Sequence, residues 1–177
     1  MLDHSLDLLP LMSGALNRFP IEGELDISPT EVNNGIVLSG PVRLSGCVEN
    51  LSGYTRLTLT ITAEYDTVCD RCLAPIHACL DIQLQRTVAA AGTLEDEDSY
   101  EVDNEYILVE GNRLPLYDIV LETLVLELPQ WHLCREDCRG LCAKCGHNLN
   151  EGDCGCPKKE PDPRLAVLST LLGNKSE

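Results

Sequence analysis

The feature that most constrains this chain is a run of cysteines near its C-terminus. Six cysteines fall within 23 positions, which is far denser than chance would place them. Cys142 and Cys145 form a CxxC pair, whose two-residue spacer lets both thiolates face one ion. Gly146 follows this pair and tolerates the turn around the ion. The run therefore predicts a metal-binding module. Its members are Cys134, Cys138, Cys142, Cys145, Cys154 and Cys156.

A second CxxC lies far upstream, at Cys69 and Cys72. Structural zinc takes four ligands in a closed site, so eight paired thiols predict two zinc ions. Short separation in the sequence favours one site built from the last four cysteines of the run, which lie within fifteen residues. The upstream pair would then share the other zinc with Cys134 and Cys138. The competing arrangement is a single zinc among the first four cysteines of the run, with the last two thiols free.

These motifs favour a stabilising metal over a catalytic one. A catalytic zinc keeps an open position and often has histidine and a carboxylate base beside it. His132 and His147 are nearby, but no HExxH or deaminase-like pattern accompanies them. A redox CxxC opens a helix after a strand, whereas Cys69 and Cys72 sit between two alternating, strand-like runs. We therefore predict no catalytic residue and no enzyme, with dithiol or zinc chemistry as the less favoured alternative.

The N-terminal residues and the cysteine count bear on the compartment. Residues 1–18 carry Asp3 and Asp7 and no Lys or Arg before Arg18, whereas a signal peptide begins with Lys or Arg. No apolar run approaches the ~20 residues that cross a bilayer. Ten cysteines without a secretion signal indicate a reducing compartment, where closely spaced thiols bind metal. We expect a cytoplasmic protein with no membrane partner.

The net charge of −16 lies entirely in the larger N-terminal part. Residues 1–133 hold six basic and 22 acidic residues, and residues 134–177 hold seven of each. An acidic body repels phosphate backbones and attracts basic proteins. Each four-cysteine zinc site would add a charge of about −2, which further weakens the case for direct RNA contact. The alternative interpretation of the acidity is solubility alone.

Hydrophobic periodicity predicts a mainly β body. Between Ile36 and Val88 the pattern is that of strands, and from Leu57 to Tyr65 apolar and polar residues alternate strictly. This run and a second one from Leu80 to Leu84 flank the first CxxC, which predicts a hairpin with its thiols near the turn. Residues 106–109 predict a further strand, and residues 92–105 an acidic loop.

Helices are predicted at two places, and the first twenty residues fit either a strand or a short helix. Leu116 to Leu128 lies between two prolines, has apolar residues at helical spacing and predicts a buried helix. Asp162 and Pro163 suit the start of a terminal helix that Gly173 can end. Two further expectations concern single residues. Cys47 and Cys79 are predicted as packed thiols, and Gly40, Gly46 and Gly53 as turns between strands.

The predicted fold class is α+β. A mainly antiparallel β body with one buried helix would occupy residues 1–133. A zinc-stapled C-terminal module with the terminal helix would occupy residues 134–177.

Three segments taken together resemble the YceD family, the large ribosomal RNA subunit accumulation proteins of bacteria and plastids. They are Cys69-Asp-Arg-Cys72-Leu73, the run from Cys134 to Cys156, and the terminal DPRLAVLSTLL. The resemblance extends from about Val37 to Leu172. It implies a non-enzymatic role in 23S ribosomal RNA accumulation, hence in large-subunit biogenesis. We expect the partner to be a basic ribosomal protein or a large-subunit precursor particle. The rival function is a zinc-stabilised protein-interaction module.

Overall fold

A computed structural model of the chain describes residues 2–27, 32, 35–51, 54–91 and 106–157. Three predictions lie outside these residues, namely the acidic loop, the terminal helix and the turn at Gly53. The described residues are mainly strands, with two helices. In chain order the elements are β1 (Leu6–Asp7), α1 (Leu9–Met12), β2 (Arg18–Leu25), β3 (Val37–Leu38), β4 (Val42–Asn50), β5 (Thr55–Val68), β6 (Pro75–Ala90), β7 (Tyr106–Val109), β8 (Arg113–Leu114) and α2 (Leu116–Glu127).

The predicted hairpin is confirmed as the centre of the fold. Strands β5 and β6 pair antiparallel in an unbroken register, from Thr55 opposite Val88 to Val68 opposite Pro75. Alternate residues of β5 between Leu57 and Tyr65 are buried, because a period of two sends them all to one face of the sheet. The turn that closes the hairpin contains Cys69 and Cys72, so the thiols lie at one end of the longest strands.

Around this hairpin the chain builds a six-stranded sheet. Its order is β2-β4-β5-β6-β7, and β3 pairs with β5 beyond the end of β4. Every pairing is antiparallel except that of β7, which runs parallel to the last four residues of β6. Strands β1 and β8 form a separate two-stranded sheet. The predicted antiparallel character and the strand at residues 106–109 are therefore confirmed.

The predicted buried helix is confirmed as α2. Its residues Ile119, Val120 and Leu124 join the side chains from the sheet's apolar face in one hydrophobic core. Thr123 is also buried, and its hydroxyl donates to the Ile119 carbonyl at 2.6 Å, so no polar atom of this side chain is left unpaired. None of the described helices is long and apolar enough to span a bilayer.

The N-terminal residues contain both elements that the sequence allowed, a two-residue strand and a one-turn helix with Pro10 in its first turn. The sequence analysis missed β2. Pro20 and Gly23 interrupt its pattern, but β2 is an edge strand, where a proline costs no ladder hydrogen bond on the open side. Its buried residues Ile21 and Leu25 pack into the core.

Two single-residue predictions were wrong. Gly46 is not in a turn but inside β4, between Ile21 of β2 and Leu59 of β5. Cys79 is exposed rather than packed, because the β6 register places it on the polar face, opposite Glu64. Cys47 is buried, as predicted. Glycine is compatible with a turn or a strand, and cysteine with a buried or an exposed position. In both cases the strand register determined where the residue lies.

Gly46 generates a stability prediction. A Cβ atom at this position would lie 2.1 Å from the Thr58 carbonyl oxygen and 2.9 Å from the Leu59 Cα. Both atoms belong to the backbone of the central strand and cannot move aside. We expect Gly46→Ala to lower the free energy of unfolding by about 1–3 kcal/mol in chemical denaturation. Gly40→Ala is the control, since its Cβ would meet nothing within 4 Å. Equal stability of the two variants would contradict this packing.

Candidate metal centres

The eight clustered cysteines form two groups of four. Within each group all four sulfur atoms lie within 4.8 Å of one another. This is the grouping that short separation in the sequence favoured. The inner tetrad consists of Cys69, Cys72, Cys134 and Cys138, and the outer tetrad consists of Cys142, Cys145, Cys154 and Cys156.

Sulfur–sulfur distances in the inner tetrad suit a tetrahedral metal. The Sγ atoms of Cys69 and Cys138 are 3.8 Å apart, and those of Cys72 and Cys134 are 3.6 Å apart. Four sulfurs at about 2.3 Å from a tetrahedral zinc would be separated by about 3.8 Å. A disulfide requires about 2.05 Å. All the cysteines are free of disulfides, and the spacing of these sulfur atoms could accommodate one shared ion.

The hairpin turn and the segment after α2 hold the inner tetrad together. Arg71, between the two cysteines of the turn, donates from Nη1 to the Cys138 carbonyl at 2.9 Å. Its own carbonyl accepts from the backbone N–H of Leu141 at 3.1 Å. Gly140 fits closely here, since a Cβ would lie 2.9 Å from the Arg71 carbonyl oxygen. The side chain and the main chain of Arg71 thus both align the two halves of the site.

Backbone N–H groups point at the sulfur atoms in both CxxC turns. The Cys69 thiol accepts hydrogen bonds from the backbone of Arg71 and Cys72, two and three residues ahead. The Cys142 thiol accepts from Lys144 and Cys145 in the same way. A turn that aims two N–H groups at one sulfur stabilises the thiolate, which is the form that binds metal.

The same turns each end in a residue with positive φ. Gly146 follows the second CxxC with φ of 73°, and Leu73 follows the first with φ of 58°. Glycine adopts this region freely, whereas leucine does so at a cost of about 1–2 kcal/mol. Leu73 is the one non-glycine residue in the described part of the chain with a positive φ.

Hydrogen bonding lowers the pKa of one thiol in each tetrad to about 6. The backbone N–H of Cys134 contributes most to lowering the pKa of the Cys69 thiol to about 6, and burial opposes it. The backbone N–H of Lys144 contributes most at Cys142, whose pKa also falls to about 6. These two thiols are therefore largely ionised at neutral pH.

Other thiols of the tetrads resist ionisation because their neighbours crowd them. The Cys72 side chain, followed by burial, raises the pKa of Cys134 to about 12. The Cys145 side chain, followed by that of Cys154, raises the pKa of Cys156 to about 12. Four thiolates this close repel one another unless a cation balances their charge. A divalent ion that accepts four sulfurs would remove that conflict.

The outer tetrad is more open than the inner one. In the inner tetrad Cys69, Cys72 and Cys138 are buried and Cys134 is exposed. In the outer tetrad Cys145 is exposed and its three partners are only partly buried. A cleft of about 750 Å³ lies beside the outer tetrad. The loop that carries Cys142 and Cys145 is held by an isolated β-bridge between Leu141 and Asn148.

Asn150 connects the two tetrads, and the sequence analysis did not identify it. Its Nδ2 donates to the Cys138 sulfur at 3.3 Å, and its Oδ1 accepts from the backbone N–H of Arg139 at 2.8 Å. This hydrogen bond is the largest cause of the lowered pKa of the Cys138 thiol. No sequence signal distinguishes Asn150 from an ordinary loop asparagine, because its role depends on the loop folding back.

The two nearby histidines do not join the tetrads. Among the described residues, both candidate metal groups consist of cysteine only. His147 contributes its backbone carbonyl, which accepts from the Cys142 N–H at 2.8 Å. His132 aligns the inner site through its backbone, whose N–H donates to Asp70 Oδ2 at 2.6 Å and whose carbonyl accepts from the Asp70 N–H at 2.9 Å.

Comparison with known proteins assigns the family. A model of the family described as large ribosomal RNA subunit accumulation protein YceD matches residues 57–172, well over half of the chain. The chain belongs to the YceD family. The match includes both tetrads, and the family's description names an accumulation role rather than a reaction.

Individual relatives of this YceD-family chain include proteins of Mycobacterium bovis and Mycobacterium leprae, both named only as uncharacterized. The first is 32% identical over 130 residues, 73% of this chain and 61% of the relative. The second is 30% identical over 138 residues, 75% of this chain and 59% of the relative. The chain thus spans about three fifths of the length of these relatives.

A plant relative carries a functional name. A 46-residue match, 39% identical, is to the chloroplastic large ribosomal RNA subunit accumulation protein YCED homolog 1 of Arabidopsis thaliana. It covers 26% of this chain and 14% of the plant protein. No solved structure matches the chain.

The tetrads predict a metal content of about two zinc ions per chain. Because the outer tetrad is more open, a chelator in excess should remove its ion in a fast phase and the inner ion in a slow one. Elemental analysis of protein purified under reducing conditions and a colorimetric zinc-release assay would measure both. Cys145→Ser should retain about one ion and lose the fast phase. A wild-type chain with one ion would contradict the two-site interpretation.

Asn150 predicts an effect on the inner site alone. We expect Asn150→Ala to weaken zinc binding by the inner tetrad about 10–100-fold, because the Cys138 thiolate loses a donor. Competition with a chelator of known affinity would measure the weaker binding, and the slow phase of zinc release should become faster. The matched control is Asn17→Ala, an exposed asparagine beside the far end of the sheet. An unchanged slow phase in Asn150→Ala would show that the hydrogen bond does not support the site.

Proposed function

We propose that this chain is a non-enzymatic factor that supports 23S ribosomal RNA accumulation during assembly of the large ribosomal subunit. The observation that carries the proposal is membership of the YceD family, whose description names large ribosomal RNA subunit accumulation. The functional name of the Arabidopsis relative agrees with it. The proposed role in large-subunit assembly would take place in the cytoplasm.

We further propose that all eight tetrad cysteines are ligands of two structural zinc ions. Sets of four thiolates leave a tetrahedral zinc no open position for water or substrate. The metal would then supply cross-linking rather than chemistry. At the inner tetrad it would tie the β5–β6 turn to the segment after α2, and so join a body of residues 1–133 to a module of residues 134–177.

Burial argues against the redox alternative for the upstream CxxC. An exchange reaction needs a thiolate that a second sulfur can approach in line. Cys69 has no exposed surface and Cys72 is 7% exposed, so neither sulfur presents itself to a protein disulfide. The pKa of Cys69 is low, but its N–H donors serve a metal ligand equally well.

The proposed partner is a basic ribosomal protein or a precursor particle that displays one. The net charge of −16 favours association with a cationic surface and disfavours direct contact with naked RNA. Attraction of this kind raises association rates and weakens as salt screens the charges.

The function predicts a ribosomal RNA phenotype. Deleting the gene should lower the ratio of 23S to 16S ribosomal RNA, and a plasmid copy of the wild type should restore it. Cys72→Ser should not restore it, because three thiolates leave the inner site open and residues 134–157 detached from the hairpin. Cys79→Ser should restore it fully, since this exposed thiol lies outside both tetrads. An unchanged ratio after deletion under several growth conditions would refute the assignment.

A further inference from the structure

Exposed apolar side chains gather at the end of the molecule that carries the inner tetrad. Val68 and Leu73 flank the hairpin turn, and Leu126 lies in the last turn of α2. Trp131 and Leu133 follow α2 on the segment that pairs with the turn. We name these five residues the apolar end. Trp131, the only tryptophan of the chain, is 78% exposed.

The apolar end has a defined shape. Two hydrogen bonds between Asp70 and His132, one between their main chains and one from the His132 N–H to the Asp70 carboxylate, hold residues 129–133 as a ridge against the turn. On one side, Trp131 and Leu133 line a depression of about 310 Å³ together with Asp70 and Arg71. On the other side, a depression of about 400 Å³ includes Val68 and His132. A partner side chain thus has concave surface on either side of the ridge to fill.

Leu73 adds an independent observation. It is 62% exposed and sits at φ of 58°, where Gly146 serves the equivalent turn of the outer tetrad. A glycine would close the first turn without strain. Leu73 therefore contributes little to folding, because its side chain is exposed and its backbone conformation disfavours leucine. Strain at an exposed apolar residue is typical of surfaces used for binding.

The charges around the apolar end indicate a cationic partner. Asp70 lines the depression beside Trp131, and Glu127 and Glu136 lie close to the apolar end in the chain. The last turn of α2 carries no basic residue to meet the negative end of its helix dipole. Arg135 pairs with Asp137 at 3.4 Å, which leaves Arg71, in the same depression, as the one nearby cation without an acidic partner among the described residues. A phosphate backbone would meet net negative charge at this rim.

We propose that the apolar end is the docking surface for a basic protein segment that buries an apolar side chain against Trp131. Large aromatic residues in concave, partly polar surroundings dominate binding energy at protein interfaces. The acidic rim and the C-terminal end of α2 would receive the lysine or arginine residues that flank the anchor. The inference rests on the proposed function for the identity of the partner as a basic ribosomal protein.

The single tryptophan makes the proposal directly measurable. In the free full-length protein, Trp131 emission should be that of a water-exposed indole and acrylamide should quench it strongly. Titration with individually purified basic proteins of the large subunit should shift the emission to the blue for at least one of them. A 23S ribosomal RNA fragment should cause no shift. A shielded tryptophan in the free protein, a shift with RNA alone, or no shift with any of these proteins would overturn the proposal.

Three variants separate docking from folding. Trp131→Ala should weaken binding of the identified protein, labelled for anisotropy, by at least about tenfold. Leu73→Gly should weaken it while leaving the melting temperature unchanged or higher, a combination that misfolding cannot produce. Tyr54→Ala is the matched control, an exposed aromatic residue at the opposite end of β5. Wild-type affinity in both Trp131→Ala and Leu73→Gly would overturn the proposal.

Complementation distinguishes the failure of this inference from the failure of the proposed function. If the deletion leaves the ratio of 23S to 16S ribosomal RNA unchanged, the proposed function fails, whatever the fluorescence shows. If the wild type restores the ratio and Trp131→Ala restores it equally, the docking surface is wrong and the function stands. We expect wild type and Tyr54→Ala to restore the ratio and Trp131→Ala to fall short.

Discussion

Crowding of four thiols at the inner tetrad is the constraint on which the rest of this structure depends. Sulfur atoms 3.6 and 3.8 Å apart cannot all be ionised without a balancing cation, and the neighbouring Cys72 side chain, followed by burial, raises the pKa of the Cys134 thiol to about 12. Donors from the backbone and from Asn150 already favour the thiolate. The site is thus organised for a cation, and its two halves come from segments 62 or more residues apart.

This cross-connection determines what the surrounding surface can do. The β5–β6 hairpin is rigid because its register is unbroken, and the tetrad brings the segment after α2 onto its turn. Residues 129–133 are therefore presented as an ordered ridge although they contain no helix or strand. Main-chain order on either side of Trp131 would reduce the entropy lost when the proposed partner binds.

Much of the fold was predictable because its signals are local. Strict alternation from Leu57 to Tyr65 predicted the central strand, and Pro115 and Pro129 bounded the helix between them. The errors arose where the signal is not local. The edge position of β2 tolerates Pro20, and only the pairing of β4 with two neighbours explains why Gly46 has no side chain.

The sequence by itself determined the number of clustered thiols and their spacing, and it favoured one grouping into fours, which the tertiary structure then decided. It also determined the acidic character of the body, which depends on composition alone. The tertiary structure decided that Asn150 supports Cys138, that Cys79 faces solvent and that Leu73 and Trp131 lie at one end of the molecule. These relations depend on strand register and on a loop that returns to the hairpin. Contacts between residues distant in the chain leave no periodic trace in a single sequence.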